Sequence, residues 1–280
     1  MVSYGLAVLV IGLGTLLPAY LALYLITRLK FLQTKTISAL GLGLSFFFLI
    51  DTFNDASELD VNSAFYPDFG GWYHVSLILA FLFGIAALAI FDHFGVPKVA
   101  KDSARTNLGL VVLAPIAVAA VMGIHSFAEG WSFASVASGV PGNDLVNAFA
   151  PGIPTPAAYE PLISYPVHKF LEASIVACLY VILVQRNKNV SKAKWHLPLL
   201  GLLFGFTSVI GASIGYFVSF DLTYFYAFGV TAAIYAIIRL AEGITKGEGD
   251  SAVTPSYLGA KVFLGVSAGF FLLYVAALLH

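Results

Sequence analysis

The sequence predicts an all-α integral membrane protein with eight transmembrane helices, and three observations predict it. Of the 280 residues, 59% are hydrophobic and only 10% are charged, with a mean hydropathy of +0.90. A soluble domain carries about a quarter of its residues charged. Eight apolar segments of bilayer-crossing length follow one another, at residues 4–26, 37–53, 72–91, 107–134, 161–184, 197–217, 222–240 and 257–279. The basic residues sit in alternate connections, as successive crossings require. Residues 1–280 therefore read as a single eight-span transmembrane domain, multi-pass in a cell membrane.

Span 1 lacks a basic region before it, and its apolar run is too long for a signal peptide, so it reads as a retained helix. It ends at a turn with Arg28, Lys30 and Lys35. Span 2 carries Asp51 near its far end and leads into residues 54–71, which hold Asp55, Glu58, Asp60 and Asp68 without a basic residue. Such a connection is either an ordinary solvated loop or an acidic vestibule that raises the local cation concentration. His74, at the start of span 3, reads as a solvated interfacial histidine. After span 3 come Lys98, Lys101 and Arg105. Span 4 leads into a Pro- and Gly-rich loop, 135–160 (Pro141, Gly142, Pro151, Gly152, Pro154, Pro156). Span 5 is followed by Arg186, Lys188, Lys192 and Lys194. The turn after span 7 carries Arg239 and Lys246, with Lys261 just inside span 8. Thirteen of the fourteen basic residues thus lie on one side, which the positive-inside rule makes cytoplasmic, and both termini face outward. The fourteenth is Lys169, inside span 5.

A net charge of −1 gives no ground for nucleic-acid binding. Cys178 is the single cysteine, which excludes an intrachain disulfide framework and a thiolate metal cluster.

The pentapeptide His-x-Phe-x-Glu occurs twice in hydrocarbon: His125-Ser126-Phe127-Ala128-Glu129 in span 4, and His168-Lys169-Phe170-Leu171-Glu172 in span 5. One charged residue at the centre of a membrane helix costs roughly 2.5–3.5 kcal/mol on translocon scales. In a helix, positions four apart are about 40° apart around the axis and about 6 Å along it. His125 and Glu129 therefore share a face, as do His168 and Glu172. Spans 4 and 5 are consecutive and antiparallel. If their faces oppose, two imidazoles and two carboxylates converge near the midplane, a complete shell for a borderline divalent cation. The metal would supply the charge that the carboxylates need. The plainer reading is that each His–Glu pair is polar glue between helices.

At these residues the chain resembles the ZIP (Zrt/Irt-like) divalent metal transporters. HSFAEG in span 4 and HK…E in span 5 look like that family's paired signatures, commonly HNxPEG followed by HE or QD variants ending in Glu. Residues 225–242 (FYAFGVTAAIYAIIRLAE) are similar to the family's seventh span. The resemblance implies a 3+2+3 inverted-repeat arrangement, with spans 1–3 and 6–8 around the 4–5 pair. It implies spans 1, 4, 5 and 6 moving against spans 2, 3, 7 and 8, and it admits a homodimer. It further implies a transporter that carries a divalent metal ion into the cytoplasm, Zn²⁺ first and Fe²⁺, Mn²⁺, Co²⁺ or Cd²⁺ as other cargoes. No prosthetic group and no enzymatic activity are expected.

Carried over residue by residue, His125, Glu129, His168 and Glu172 become the metal ligands, with Ser126 a weak ligand or supporting group in place of the usual Asn. Lys169 stands where many members have an acidic residue for a second metal, and span 6 has no Glu between Thr207 and Gly215. These two departures and Ser126 all point to one metal, with the Lys169 ammonium as charge substitute for the second; the HS…HK combination resembles a branch with a mononuclear site. The bland alternative for Lys169 is snorkelling to the outer surface. Asp51 and Asp55 replace a family HxxxE and read as a way-station for incoming metal, or as a helix cap, with Asn54 between them. The inner 3–4 connection offers only His93, where many members have a His-rich loop.

Three further features stay open. Pro166 removes the usual partner of the Leu162 carbonyl, which fits either a broken transport helix or a common proline kink. Gly41 and Gly43, and the pairs Gly201/Gly205 and Gly211/Gly215, suit close helix packing or sliding. Cys178 lies off the motif face and reads as packing. The runner-up function is an intramembrane zinc-dependent hydrolase, in which Ser126 or a metal-bound water would attack an amide or ester.

Overall fold

Hydrocarbon offers the backbone no hydrogen-bond partner, so a segment crossing it must satisfy its own peptide groups as a helix. The computed structural model describes residues 3–57, 71–90, 113–138, 160–186, 195–218 and 222–245, and within them every regular element is helical. There are seven α-helices among the described residues: α1 (Tyr4–Arg28), α2 (Thr34–Ser57), α3 (Gly71–Ile90), α4 (Leu113–Ser138), α5 (Glu160–Arg186), α6 (His196–Gly215) and α7 (Thr223–Thr245). They coincide with the first seven expected spans. Six of them, α1, α2, α4, α5, α6 and α7, are long and apolar enough to cross a membrane, and the described residues of α3 add a shorter apolar stretch, Leu79–Leu88. The eighth expected span, 257–279, lies outside the described residues, as do His93 and most of the acidic and Pro/Gly-rich loops.

The helices pack in two sets. In the first, α4 lies along α6, and α1 packs against both α5 and α6. In the second, α2 lies along α7, and α3 also packs against α7. The sets meet where α2 crosses α5 and α4 crosses α7. Consecutive order misleads at one place: α4 and α5 touch over only a short stretch, because each has a closer partner elsewhere.

Glycines explain the closeness of the first set. A Cβ on Gly211 of α6 would sit 2.0 Å from the Phe127 carbonyl oxygen of α4, and one on Gly130 of α4 would sit 2.1 Å from the Ser208 carbonyl oxygen of α6. Only backbones without side chains at those positions can come so near. The two spaced pairs on α6 serve different neighbours: Gly211 and Gly215 face α4, whereas Gly201 and Gly205 face Tyr20 and Leu16 of α1. A buried hydroxyl cluster adds a polar tie. Thr15 (α1), Tyr165 (α5) and Ser208 (α6) place their oxygens 2.8, 2.9 and 3.1 Å apart pairwise.

α5 is the most enclosed helix. Every residue from His168 to Ile182 is buried apart from Phe170, which is partly so. α1 instead shows a row of exposed leucines, Leu6, Leu9, Leu13, Leu17 and Leu21, three or four residues apart, the face suited to lipid. α5 continues through Pro166 without interruption. Cys178 is fully buried beside Gly41 of α2, consistent with packing.

Candidate metal centre

The two pentapeptides meet where α5 passes α4. His125 Nε2 lies 3.5 Å from Glu129 Oε1 on its own helix and 3.3 Å from Glu172 Oε1 on the other. His168 Nε2 lies 2.8 Å from Glu172 Oε1 on its own helix and 3.6 Å from Glu129 Oε1 across the gap. Each imidazole thus faces both carboxylates. The faces oppose as the i, i+4 spacing predicts, and the side chains meet although the helix backbones touch only briefly.

The second carboxylate oxygens point elsewhere. Glu129 Oε2 and Glu172 Oε2 both contact Lys169 Nζ, the latter at 2.5 Å. Each carboxylate therefore presents one oxygen to the imidazoles and the other to the ammonium. Lys169 is fully buried, between the ring faces of Tyr165 and Phe204 at 5.7 and 5.6 Å from their centroids. Its ammonium does not snorkel, because two carboxylates hold it inside. Ser126 Oγ accepts from Lys169 Nζ at 3.4 Å, so the serine stands on the ammonium side.

The donor set fits a transition metal. Ligand atoms of His125, Glu129 and Glu172 lie within 4.8 Å of one another, and His168 Nε2 joins both carboxylates. A tetrahedron with metal bonds of about 2.0–2.1 Å has edges of about 3.3–3.4 Å. The N···O gaps of 3.3, 3.5 and 3.6 Å lie at that edge or slightly above it, and the fourth, 2.8 Å, is a direct hydrogen bond that a metal would open.

Side-chain exposure falls in steps along the site: 33% at Asp51, 13% at Glu129, 7% at His168, 3% at His125 and none at Glu172. Asp51 Oδ2 lies 4.0 Å from His168 Nε2, at the open end. Asp55 is on the same helix one turn on, and its side chain, like those of Asn54 and His74, lies outside the described residues.

Several neighbours carried no sequence signal of their own. His125 is held edge-on by Phe48 and Tyr226, at centroid distances of 5.1 and 5.3 Å. A Cβ on Gly229 would meet His125 Nδ1 at 3.0 Å and Thr52 Cγ2 at 2.6 Å, so α7 reaches the imidazole only as glycine there. Tyr165 could have been found, since it is four residues before Lys169 on one helix face. Phe204 and Gly229 arrive from other helices, and their link to the site exists only in three dimensions.

Comparison with protein-family models, curated proteins and solved structures found no match to this chain.

Proposed function

We propose that this protein is a ZIP-like transporter that moves a divalent transition-metal ion, Zn²⁺ first, across a membrane into the cytoplasm. His125, Glu129, His168 and Glu172 are its ligands. The observation that carries the reading is the convergence of two imidazole nitrogens and two carboxylate oxygens from the paired pentapeptides, inside apolar helices of crossing length. Two imidazoles with two carboxylates suit a borderline cation and hold it without thiolates, which favours release as well as capture.

The bridging of both carboxylates by Lys169 supports a one-ion site. In a two-metal centre a second cation would sit between those Oε2 atoms, where the ammonium supplies one positive charge instead. The fall in exposure from Asp51 to Glu172 supports a path that starts at Asp51, on the acidic side of the chain, and ends at the ligands. Asp51 then serves as the way-station and hands the ion to His168.

Radiolabelled Zn²⁺ uptake into proteoliposomes tests the proposal. The wild type takes up the ion down a gradient at neutral pH, and His168→Ala and Glu129→Ala do not. Absence of uptake by the wild type would sink the transporter reading. Zinc bound at the site without uptake would favour the intramembrane hydrolase.

A further inference from the structure

Resting on that reading, we infer that Lys169 is a resident counter-cation that lets the emptied site recross the membrane, so that net uptake depends on it more than metal exchange does. The inference starts from where the ammonium is held. Its contacts are Glu129, Ser126, Glu172, Tyr165 and Phe204, on α4, α5 and α6. All belong to the helix set that includes α1 and that carries the four ligands. The other set, α2, α3 and α7, touches the site through Asp51, Phe48, Thr52, Tyr226 and Gly229, against the imidazoles. The ammonium is therefore part of the unit that bears the metal site, whichever set moves.

The carboxylates allow it to stay there in both states. Metal binding uses the Oε1 atoms, and the ammonium holds the Oε2 atoms, so loading does not require Lys169 to leave. The charge arithmetic follows. With neutral imidazoles, two carboxylates and one ammonium leave one net negative charge on the empty site. A divalent ion turns it into one net positive charge.

The desolvation cost of a buried charge grows with its square, so the loaded and empty sites carry equal burdens through the apolar barrier. Without the ammonium the loaded site would be neutral and the empty one doubly negative. That carrier would cross readily with metal and return poorly without it. A carrier of this kind exchanges metal for metal but accumulates little. Lys169 removes the asymmetry with a cation that never dissociates.

The test compares two assays on the full-length protein in liposomes at mildly alkaline pH, with Zn²⁺ as the probe. Exchange is measured as tracer Zn²⁺ entering vesicles preloaded with unlabelled Zn²⁺, which needs only loaded crossings. Net uptake is measured into zinc-free vesicles holding a chelator, which needs the empty return. Lys169→Met, which keeps the chain length and removes the charge, lowers the ratio of net uptake to exchange at least about tenfold. Lys169→Arg, which keeps the charge, holds that ratio within about twofold of the wild type.

An unchanged ratio in Lys169→Met overturns the inference, and so does an equal fall in Lys169→Arg. So does loss of exchange together with uptake in Lys169→Met protein that still binds Zn²⁺, which would place the ammonium on the loaded step. A wild type that neither takes up nor exchanges Zn²⁺ fails at the transporter reading itself, a result distinct from these.

Discussion

Glu129 and Glu172 each serve two partners at once, imidazoles through Oε1 and an ammonium through Oε2, and the two duties predict different responses to substitution. Glu172→Gln preserves shape and removes charge from a fully buried carboxylate, proposed above as a ligand. Loss of a supporting partner around a metal ligand commonly costs about 10–100-fold in affinity, and loss of a ligand's own charge should exceed the upper figure. Competition with a calibrated chelator measures it, and a fall of under about tenfold would remove Glu172 from the ligand set. Acidity gives a second expectation. Imidazoles ligate only when neutral and carboxylates only when ionised, so protons compete with the ion and zinc uptake declines as the outer medium is acidified. Uptake that rises on acidification would mean protons drive transport rather than oppose ligation. Four of these residues were legible because i, i+4 spacing repeats on consecutive apolar spans. The division of labour between Oε1 and Oε2 was not, since it depends on Lys169 reaching Glu129 on α4 as well as Glu172 on its own helix.

Among the elements, α4 and α6 are in the closest contact, and the site hangs from it. Phe127, whose carbonyl oxygen lies against Gly211, sits between His125 and Glu129 on α4. Gly211→Ala drives a methyl into backbone, which cannot yield as a side chain can. Overpacking of this kind costs about 1–3 kcal/mol, and here it also displaces a ligand helix. Gly205→Ala is the control, because its nearest neighbour is Leu16 Cδ2 at 2.9 Å, the end of a flexible side chain. Thermal unfolding in detergent and zinc affinity should both drop for Gly211→Ala and change less for Gly205→Ala. Equal effects would mean that the α4–α6 approach does not position the site. Helix existence was legible from apolar length, and seven expected spans appear as helices, although α7 runs on to Thr245 past the expected end at Leu240 and the expected start of span 4 lies outside the described residues. The partners of the glycine pairs were not legible, because small-xxx-small spacing states that something comes close and not which helix it is. Chain order suggested α4 beside α5, yet glycine contacts bind α4 to α6, and the hydroxyls of Thr15, Tyr165 and Ser208 tie α1, α5 and α6 together.

At the scale of the molecule, the alternation of basic and acidic connections predicts the orientation, and with it the direction of the path from Asp51 inward. In a Cys178→Ser background, a cysteine at Ser63 should react with an impermeant maleimide in intact cells. Cysteines at Ser103 and Ser191 should react only after permeabilisation. The reverse pattern would invert the topology and turn uptake into export. The two helix sets explain why a polar site is tolerated here: the two His–Glu pairs and Lys169 come from one set, and the other closes over the imidazoles with Phe48, Tyr226 and Gly229. What the whole arrangement claims most directly is a single ion held by both pentapeptides. X-ray absorption at the zinc edge on zinc-loaded protein, with metal content counted per chain, measures that. One zinc per chain is expected, with two imidazole nitrogens and carboxylate oxygens at about 2.0–2.2 Å. Two zinc ions per chain, or a shell without imidazole, would contradict it.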